Sequence, residues 1–343
     1  MIFGAVQSIL MIIILISFGY FTVYRGWVSK GTPKFVTRLI INITLPCTIL
    51  NSFLTNFTAQ ELESSGKYIL TAFAGVLAIY FVGLAAARIA KIERRRRGVF
   101  TALFSFSNSV FVGFPVALAI FGEKAMIFAI FYFFANTTCF NSLGFLHIAK
   151  DGEYIRQEKL KGTDAPENSS VKEGLYGDEK AVSGTPRKET AASIIKRVMT
   201  PPIFALIAAI ILVLANVKLP AFLSSTISYA GGITSPLSLI FVGMILHRVG
   251  FKSLRFEKGI PLVMAGRFLF APLVMFGLSF LFGTDSFASQ VFIVQMALPC
   301  MVTVVIYAEN CGADSGYATR GMVLSTLLSL IILPILVILF GGI

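Results

Sequence analysis

An all-α polytopic membrane protein is the fold class this sequence predicts: ten transmembrane helices as two inverted five-helix repeats, with broken crossover helices 4 and 9. Three observations carry the expectation. Hydrophobic residues make up 56% of the 343 and charged ones only 13%, where a soluble domain carries about a quarter charged residues; mean hydropathy is +0.82. Lysine and arginine are concentrated in alternate connections between the apolar stretches. Prolines recur at matching places in the two halves.

A hydrocarbon core about 30 Å thick asks for about 20 apolar residues per helix. Such spans fall at 3–23, 35–55, 67–87, 99–121, 125–148, 200–216, 228–247, 260–282, 287–308 and 317–341. The odd-numbered connections hold Arg25, Lys30, Lys34 and Arg38, then Arg88, Lys91 and Arg94 to Arg97, then ten basic residues between the halves, then Arg248, Lys252, Arg255 and Lys258, and finally Arg320. The even-numbered ones hold Lys67, Lys124 and Lys218 against Glu61, Glu63, Glu123 and Asp285. Positive charge marks the cytoplasmic side, so both termini are expected to be extracytoplasmic, in the plasma (inner) membrane. The net charge of +12 is thereby topological, and no nucleic-acid partner is expected. The N-terminus lacks a basic n-region and a small-x-small cleavage site, so the first helix is read as retained.

Residues 149–198 are polar, with ten basic and nine acidic side chains and Gly, Pro and Ser throughout. A composition so poor in apolar residues does not offset chain entropy, so the segment reads as a disordered cytoplasmic linker. It separates a first five-helix repeat, 1–148, from a second, 199–343. Five is odd, so the second repeat enters the membrane inverted. Pro46 in span 2 matches Pro236 in span 7, and Pro115 in span 4 matches Pro299 in span 9, at nearly constant offset.

Spans 4 and 9 are the centre of the reading. Asn108-Ser-Val-Phe-Val-Gly-Phe-Pro115 and Gln295-Met-Ala-Leu-Pro-Cys300 each interrupt an apolar stretch with proline. Lipid does not hydrogen-bond freed backbone groups, so a broken helix belongs where protein or water covers it. Paired breaks in two halves of a chain point to a binding site at the midplane.

These residues resemble the auxin efflux carrier family, which includes the plant PIN-formed carriers and bacterial permeases for small carboxylates. Residues 108–115 are similar to that family's N-x-x-x-x-G-[hydrophobic]-P signature. Gln295 to Ala308 are similar to its ninth helix, Thr234 to Leu246 to its seventh and Leu45-Pro46 to its second. The likeness covers the chain outside 149–198. It implies a scaffold of helices 1, 2, 6 and 7 beside a mobile domain of helices 3–5 and 8–10, with 4 and 9 crossing. One departure is Val304, where the plant carriers have a second proline; the ninth-helix break then rests on Pro299, and auxin specificity is not read from the resemblance.

Polar side chains inside the spans are few. Ser107, Asn108, Gly113 and Pro115 in span 4, Asn136 in span 5, Gln295, Pro299, Cys300 and Thr303 in span 9, and Arg267 in span 8 are the candidate substrate-binding residues. Half-helix N-termini near Asn108 and Pro299 would present free N–H groups and partial positive charge, which suit a carboxylate. Asn136 and Asn141 are equally read as polar glue between helices. Asn108 has an alternative role too, capping the backbone freed beside Pro115. Arg267, the one basic residue clearly inside a span, is read either as snorkelling to the inner headgroups or anchoring the scaffold, or as attracting an anion.

Cys47, Cys139, Cys300 and Cys311 are scattered, without metal-ligand spacing, so no metal and no cofactor are expected. There is no Walker A, H-E-x-x-H or G-x-S-x-G sequence, and an enzyme is not expected. No Asp or Glu lies deep in a span, which leaves H+ and Na+ both open as coupling ion. The expected function, carried mainly by the resemblance, is a secondary transporter of a small organic anion, a carboxylate, working by alternating access. The partners are that anion and the lipid bilayer, with a homodimer open. A sodium-coupled bile-acid- or antiporter-like carrier, or a membrane sensor signalling through the linker, stand as alternatives.

Overall fold

The computed structural model describes residues 2–29, 31–63, 65–160, 191–249 and 257–340. Among the described residues every element is a helix and no strand is formed. The elements are α1 (Ile2–Tyr24), α2 (Thr32–Leu39), α3 (Leu45–Asn56), α4 (Ala59–Glu63), α5 (Gly66–Ile89), α6 (Arg97–Ser105), α7 (Phe114–Phe121), α8 (Ala125–Cys139), α9 (Phe145–Leu160), α10 (Ala191–Val198), α11 (Pro201–Leu214), α12 (Ala221–Gly232), α13 (Thr234–Val249), α14 (Ile260–Ala265), α15 (Ala271–Leu281), α16 (Ser286–Met296), α17 (Thr303–Asn310) and α18 (Ser315–Phe340). Among the described residues six helical stretches, Thr32–Asn56, Gln60–Ile89, Ala125–Glu158, Ala221–Arg248, Ile260–Leu281 and Ser315–Leu336, are long and apolar enough to cross a membrane. Leu10–Tyr24, Ser109–Phe121, Pro201–Leu214 and Ser286–Met296 are shorter apolar helices.

Proline explains much of the irregularity. A proline inside a helix removes one N–H, and its ring collides with the carbonyl four residues earlier. Three π-helical turns stand immediately before a Leu-Pro, Phe-Pro or Ala-Pro step: Ile40–Thr44 before Pro46, Ser109–Gly113 before Pro115, and Gly266–Phe270 before Pro272. Widening the turn there relieves the clash with Asn42, Phe111 and Phe268 while the chain stays helical. A fourth, Phe140–Gly144, joins α8 to α9 without a proline.

The helices pack in two groups. In one, α1 lies along α13, and α3 lies against α11 and α12. The backbones of α1 and α13 touch: a Cβ on Gly19 would sit 1.9 Å from the Ile240 carbonyl oxygen, and one on Gly243 1.9 Å from that of Ile16. Small residues permit this close approach where no hydrophobic force joins helices in lipid. In the other group, α5 packs on α6, α8 and α15, α16 on α15 and α8, and α17 on α18. The groups meet chiefly where the 109–113 turn and α7 lie against α13 and α1, with the rings of Phe111 and Phe241 4.7 Å apart.

One end of the second group is fastened by charge. Arg96, just before α6, reaches Asp314 (2.6 Å) and Glu257 (3.0 Å), and Arg320 on α18 reaches Glu257 (2.7 Å). These bridges join the beginnings of α6, α14 and α18.

The expected linker is corrected at both ends. Helix α9 continues to Leu160, and 191–198 form α10, so 149–160 and 191–198 are ordered as helix. The cause at the first end is tertiary: Asp151 is buried and accepts a hydrogen bond from the Val99 N–H at 2.9 Å, capping the start of α6 from another helix, while Ile155 is buried one turn later. Such a contact is invisible to composition. Residues 161–190 lie outside the described residues.

Candidate functional site

Spans 4 and 9 are each interrupted, and the two interruptions lie against each other. Helix α6 ends at Ser105, whose follower Phe106 is extended (φ −102°, ψ 130°); helix α16 ends at Met296, and the chain is non-helical until α17. Ser107 and Cys300 form an isolated antiparallel bridge. The Asn108 N–H donates to the Pro299 carbonyl at 2.9 Å, and the Met301 N–H to the Phe106 carbonyl at 3.0 Å. Each break thereby satisfies backbone groups that the other exposes, which a buried, low-dielectric site demands.

Side chains from neighbouring helices complete this junction. Asn136 of α8 donates to the Ser107 carbonyl (2.9 Å) and accepts from the Ser107 N–H (3.2 Å). The Ser107 hydroxyl pairs with the Tyr132 hydroxyl at 2.7 Å. On the other strand the Cys300 N–H donates to Ser325 Oγ of α18 at 2.9 Å, and Cys300 Sγ lies 3.2 Å from the Leu103 carbonyl. Gln295 donates to the Gly113 carbonyl at 2.9 Å, and a Cβ on Gly113 would meet Gln295 Oε1 at 2.4 Å, so only glycine permits α16 this close. Oε1 of Gln295 and Oγ of Ser109 are buried and unpartnered among the described residues.

Arg267 does not snorkel. It is completely buried, and its guanidinium donates to the carbonyls of Leu298 (3.0 Å), Ser105 (2.8 Å) and Phe104 (3.4 Å), and to that of Met296. These are the last carbonyls of α6 and α16 and one residue of the second break. The widened 266–270 turn carries the side chain toward the junction instead of toward a headgroup.

The opposite ends of the breaks are helix starts. Asn108 is the N-cap of the 109–113 turn; its Oδ1 accepts from the Phe111 N–H at 3.4 Å, a long bond, and its amide nitrogen has no acceptor among the described residues. Helix α17 begins at Thr303 with no side-chain cap. From Ser105 to Gly113 and from Gln295 to Val304, every residue is buried except Val110 and Thr303, which are partly exposed. Both lie in the first turn after their break, where neighbouring N–H groups are taken up locally, those of Val112 and Gly113 by the Asn108 carbonyl and those of Val304 and Val305 by the carbonyls of Met301 and Val302. Two such ends carry about half a positive charge each.

The candidate residues thus divide. Asn136, Cys300, Gln295 and Arg267 direct polar groups at the backbone of the junction, while the Ser107 hydroxyl pairs with that of Tyr132; Pro299 contributes its carbonyl and Pro115 is buried at the start of α7. Asn108 and Thr303 stand at the two helix starts, beside Val110. Asn141 lies further along, where it accepts from the Tyr307 hydroxyl (3.4 Å) and its carbonyl accepts from Arg197 (3.1 Å). Tyr132 and Ser325 were not singled out by sequence reasoning. Tyr132 was detectable as the hydroxyl inside the phenylalanine-rich run of span 5; Ser325 carries no such signal, since nothing local marks its partner Cys300.

The described helices and their apolar surface define a multi-pass membrane protein with a buried polar junction at two helix breaks. Residues 4–337 match the family model described as membrane transport protein. Two archaeal proteins are similar along nearly their whole length: an uncharacterized transporter of Methanothermobacter thermautotrophicus, 26% identical over 97% of both chains, and one of Methanocaldococcus jannaschii, 24% identical over 95% of this chain and 96% of that protein. The chain belongs to the membrane transport protein family, the auxin efflux carrier family of the resemblance above.

Proposed function

We propose that the chain is a secondary transporter that moves a small organic anion, a carboxylate, across the plasma membrane by alternating access. The observation that carries this reading is the pairing of two helix starts in one junction, with Val110 and Thr303 the partly exposed residues in otherwise buried segments. A carboxylate placed there accepts first-turn N–H groups from both helices and the Asn108 amide, in the manner of anions at helix N-termini.

In this reading the chain has ten spans, with both termini extracytoplasmic, arranged as two inverted five-helix repeats. Spans 4 and 9 are the crossover helices. The group built on α1, α3, α11, α12 and α13 is the scaffold, and the group holding the junction moves against it. The junction's internal bonds keep the site intact during that motion, because nearly all of them run between members of the moving group.

The test is counterflow. A thermal-shift screen of small carboxylates on purified protein identifies the best-binding acid, and proteoliposomes preloaded with it should then accumulate labelled acid transiently and saturably. Binding without counterflow would turn the reading toward a sensor. The topology is checked separately: an introduced cysteine at Ser224 should react with impermeant maleimide from outside, and one at Ser29 should not. Reversed labelling would overturn the inverted arrangement.

A further inference from the structure

Arg267 is a full positive charge buried in the membrane interior without a carboxylate partner among the described residues. An arginine at that depth is costly to insert, so something in the junction must compensate it. The compensation is visible in its acceptors. Ser105 and Phe104 end α6, Met296 ends α16, and Leu298 follows it. The C-terminal end of a helix carries about half a negative charge, so two such ends together balance about one cation. Charge-assisted hydrogen bonds to both then hold the two half-helices at a fixed separation.

In transporters built on discontinuous helices, exposed carbonyls and half-helix C-termini are where a coupling metal ion is coordinated. We infer that Arg267 is a resident cation standing in that position: the guanidinium fills the carbonyl-lined space between the C-terminal ends of α6 and α16, so the junction takes no alkali ion there. The inference rests on the crossover reading for its functional meaning, but the arrangement itself is independent of which anion is carried. It gives the junction a simple electrical division. The C-terminal ends are neutralised from within, and the N-terminal ends at Val110 and Thr303 keep their partial positive charge.

The position is specific to one half of the molecule. Arg267 belongs to span 8, and the corresponding span 3, α5, has no basic residue between Lys67 and Arg88. One arginine therefore serves both breaks. Its planar fork reaches carbonyls on two chains at once, which the single point of a lysine ammonium does less well.

The experiment uses full-length protein in lipid nanodiscs, with melting temperature and binding of radioactive sodium as readouts, neither of which requires transport. The wild type should melt at the same temperature in sodium chloride and in choline chloride, and should bind no saturable sodium. Arg267→Ala should melt roughly 5–10 °C lower, and methylguanidinium at about 10 mM, a concentration far below denaturing ones, should restore at least half of that loss while choline restores none. Arg267→Lys, which keeps the charge, remains measurable if truncation prevents folding, and should share the wild type's indifference to sodium. Saturable sodium binding by the wild type, a sodium-dependent melting temperature in Arg267→Lys, or an Arg267→Ala protein that no guanidinium stabilises would each overturn the inference. A loss of counterflow with these cation responses intact would instead count against the transport reading.

Discussion

The two breaks meet at one bridge and are different in construction. In span 4 the chain leaves helix α6, runs extended through Ser107, and restarts at once in a π-helical turn capped by Asn108 and relieved before Pro115. In span 9 the proline sits inside the break itself, the gap is longer, and α17 restarts without a side-chain cap. The supports differ in the same sense. Asn136 satisfies both the N–H and the carbonyl of Ser107, whereas Ser325 satisfies only the N–H of Cys300 and Arg267 takes up the carbonyls around it. An amide in one half is answered by a hydroxyl and a guanidinium in the other. What the two breaks share is therefore a geometry, two helix starts and two helix ends meeting at one bridge, and the residues that secure it are free to differ.

The sharpest way to break that comparison is at Asn136. Asn136→Ala leaves the Ser107 N–H unpaired in a buried site, at about 1–3 kcal/mol, and takes one of two donors from the Ser107 carbonyl, which keeps the Ser109 N–H at 3.0 Å; the protein should melt well below the wild type, and an unchanged melting temperature would show the bridge to be self-sufficient. Ser325→Ala leaves the Cys300 N–H unpaired and costs no carbonyl a donor, so its expected loss is smaller.

Asn108 separates capping from binding. Asn108→Ala removes the cap, at about 0.5–2 kcal/mol, together with the amide. Asn108→Asp keeps an acceptor for the Phe111 N–H and places a negative charge at the proposed anion site. Calorimetry with the best-binding carboxylate should show at least a tenfold weaker affinity for Asn108→Asp, with a melting temperature nearer the wild type than that of Asn108→Ala. Equal affinities in wild type and Asn108→Asp would leave Asn108 a cap alone.

Pro299→Ala tests the less supported break. It supplies an N–H and lets α16 extend, so counterflow should fall several-fold while folding is retained. Pro115→Ala should do less, because the π-helical turn and Gly113 still loosen span 4. A larger effect at Pro115 would reverse the ranking of the two breaks.

The sequence made the breaks legible because proline acts through its own backbone. Pro46, Pro115 and Pro272 each mark a widened turn, and Pro299 marks the longer interruption. The pairing of the breaks was not legible, since Ser107 and Cys300 lie far apart in the chain and meet through backbone atoms that carry no residue identity. For the same reason Arg267 was visible as a charge inside a span while its partners, all carbonyls, were not. The helical ends of 149–198 were hidden by their polarity: Asp151 looks solvated in composition and is buried against the start of α6.

The central claim is that the first-turn N–H groups of the two restarted helices hold the anion. Replacing the amide of Val110, and separately that of Thr303, by an ester removes a single N–H and leaves the side chain in place. Each replacement should weaken calorimetric affinity for the best-binding carboxylate by roughly tenfold or more, the loss of one hydrogen bond to a charged group, while an ester at Ile306, one turn inside α17, should leave it unchanged. Wild-type affinity with esters at both Val110 and Thr303 would contradict the claim.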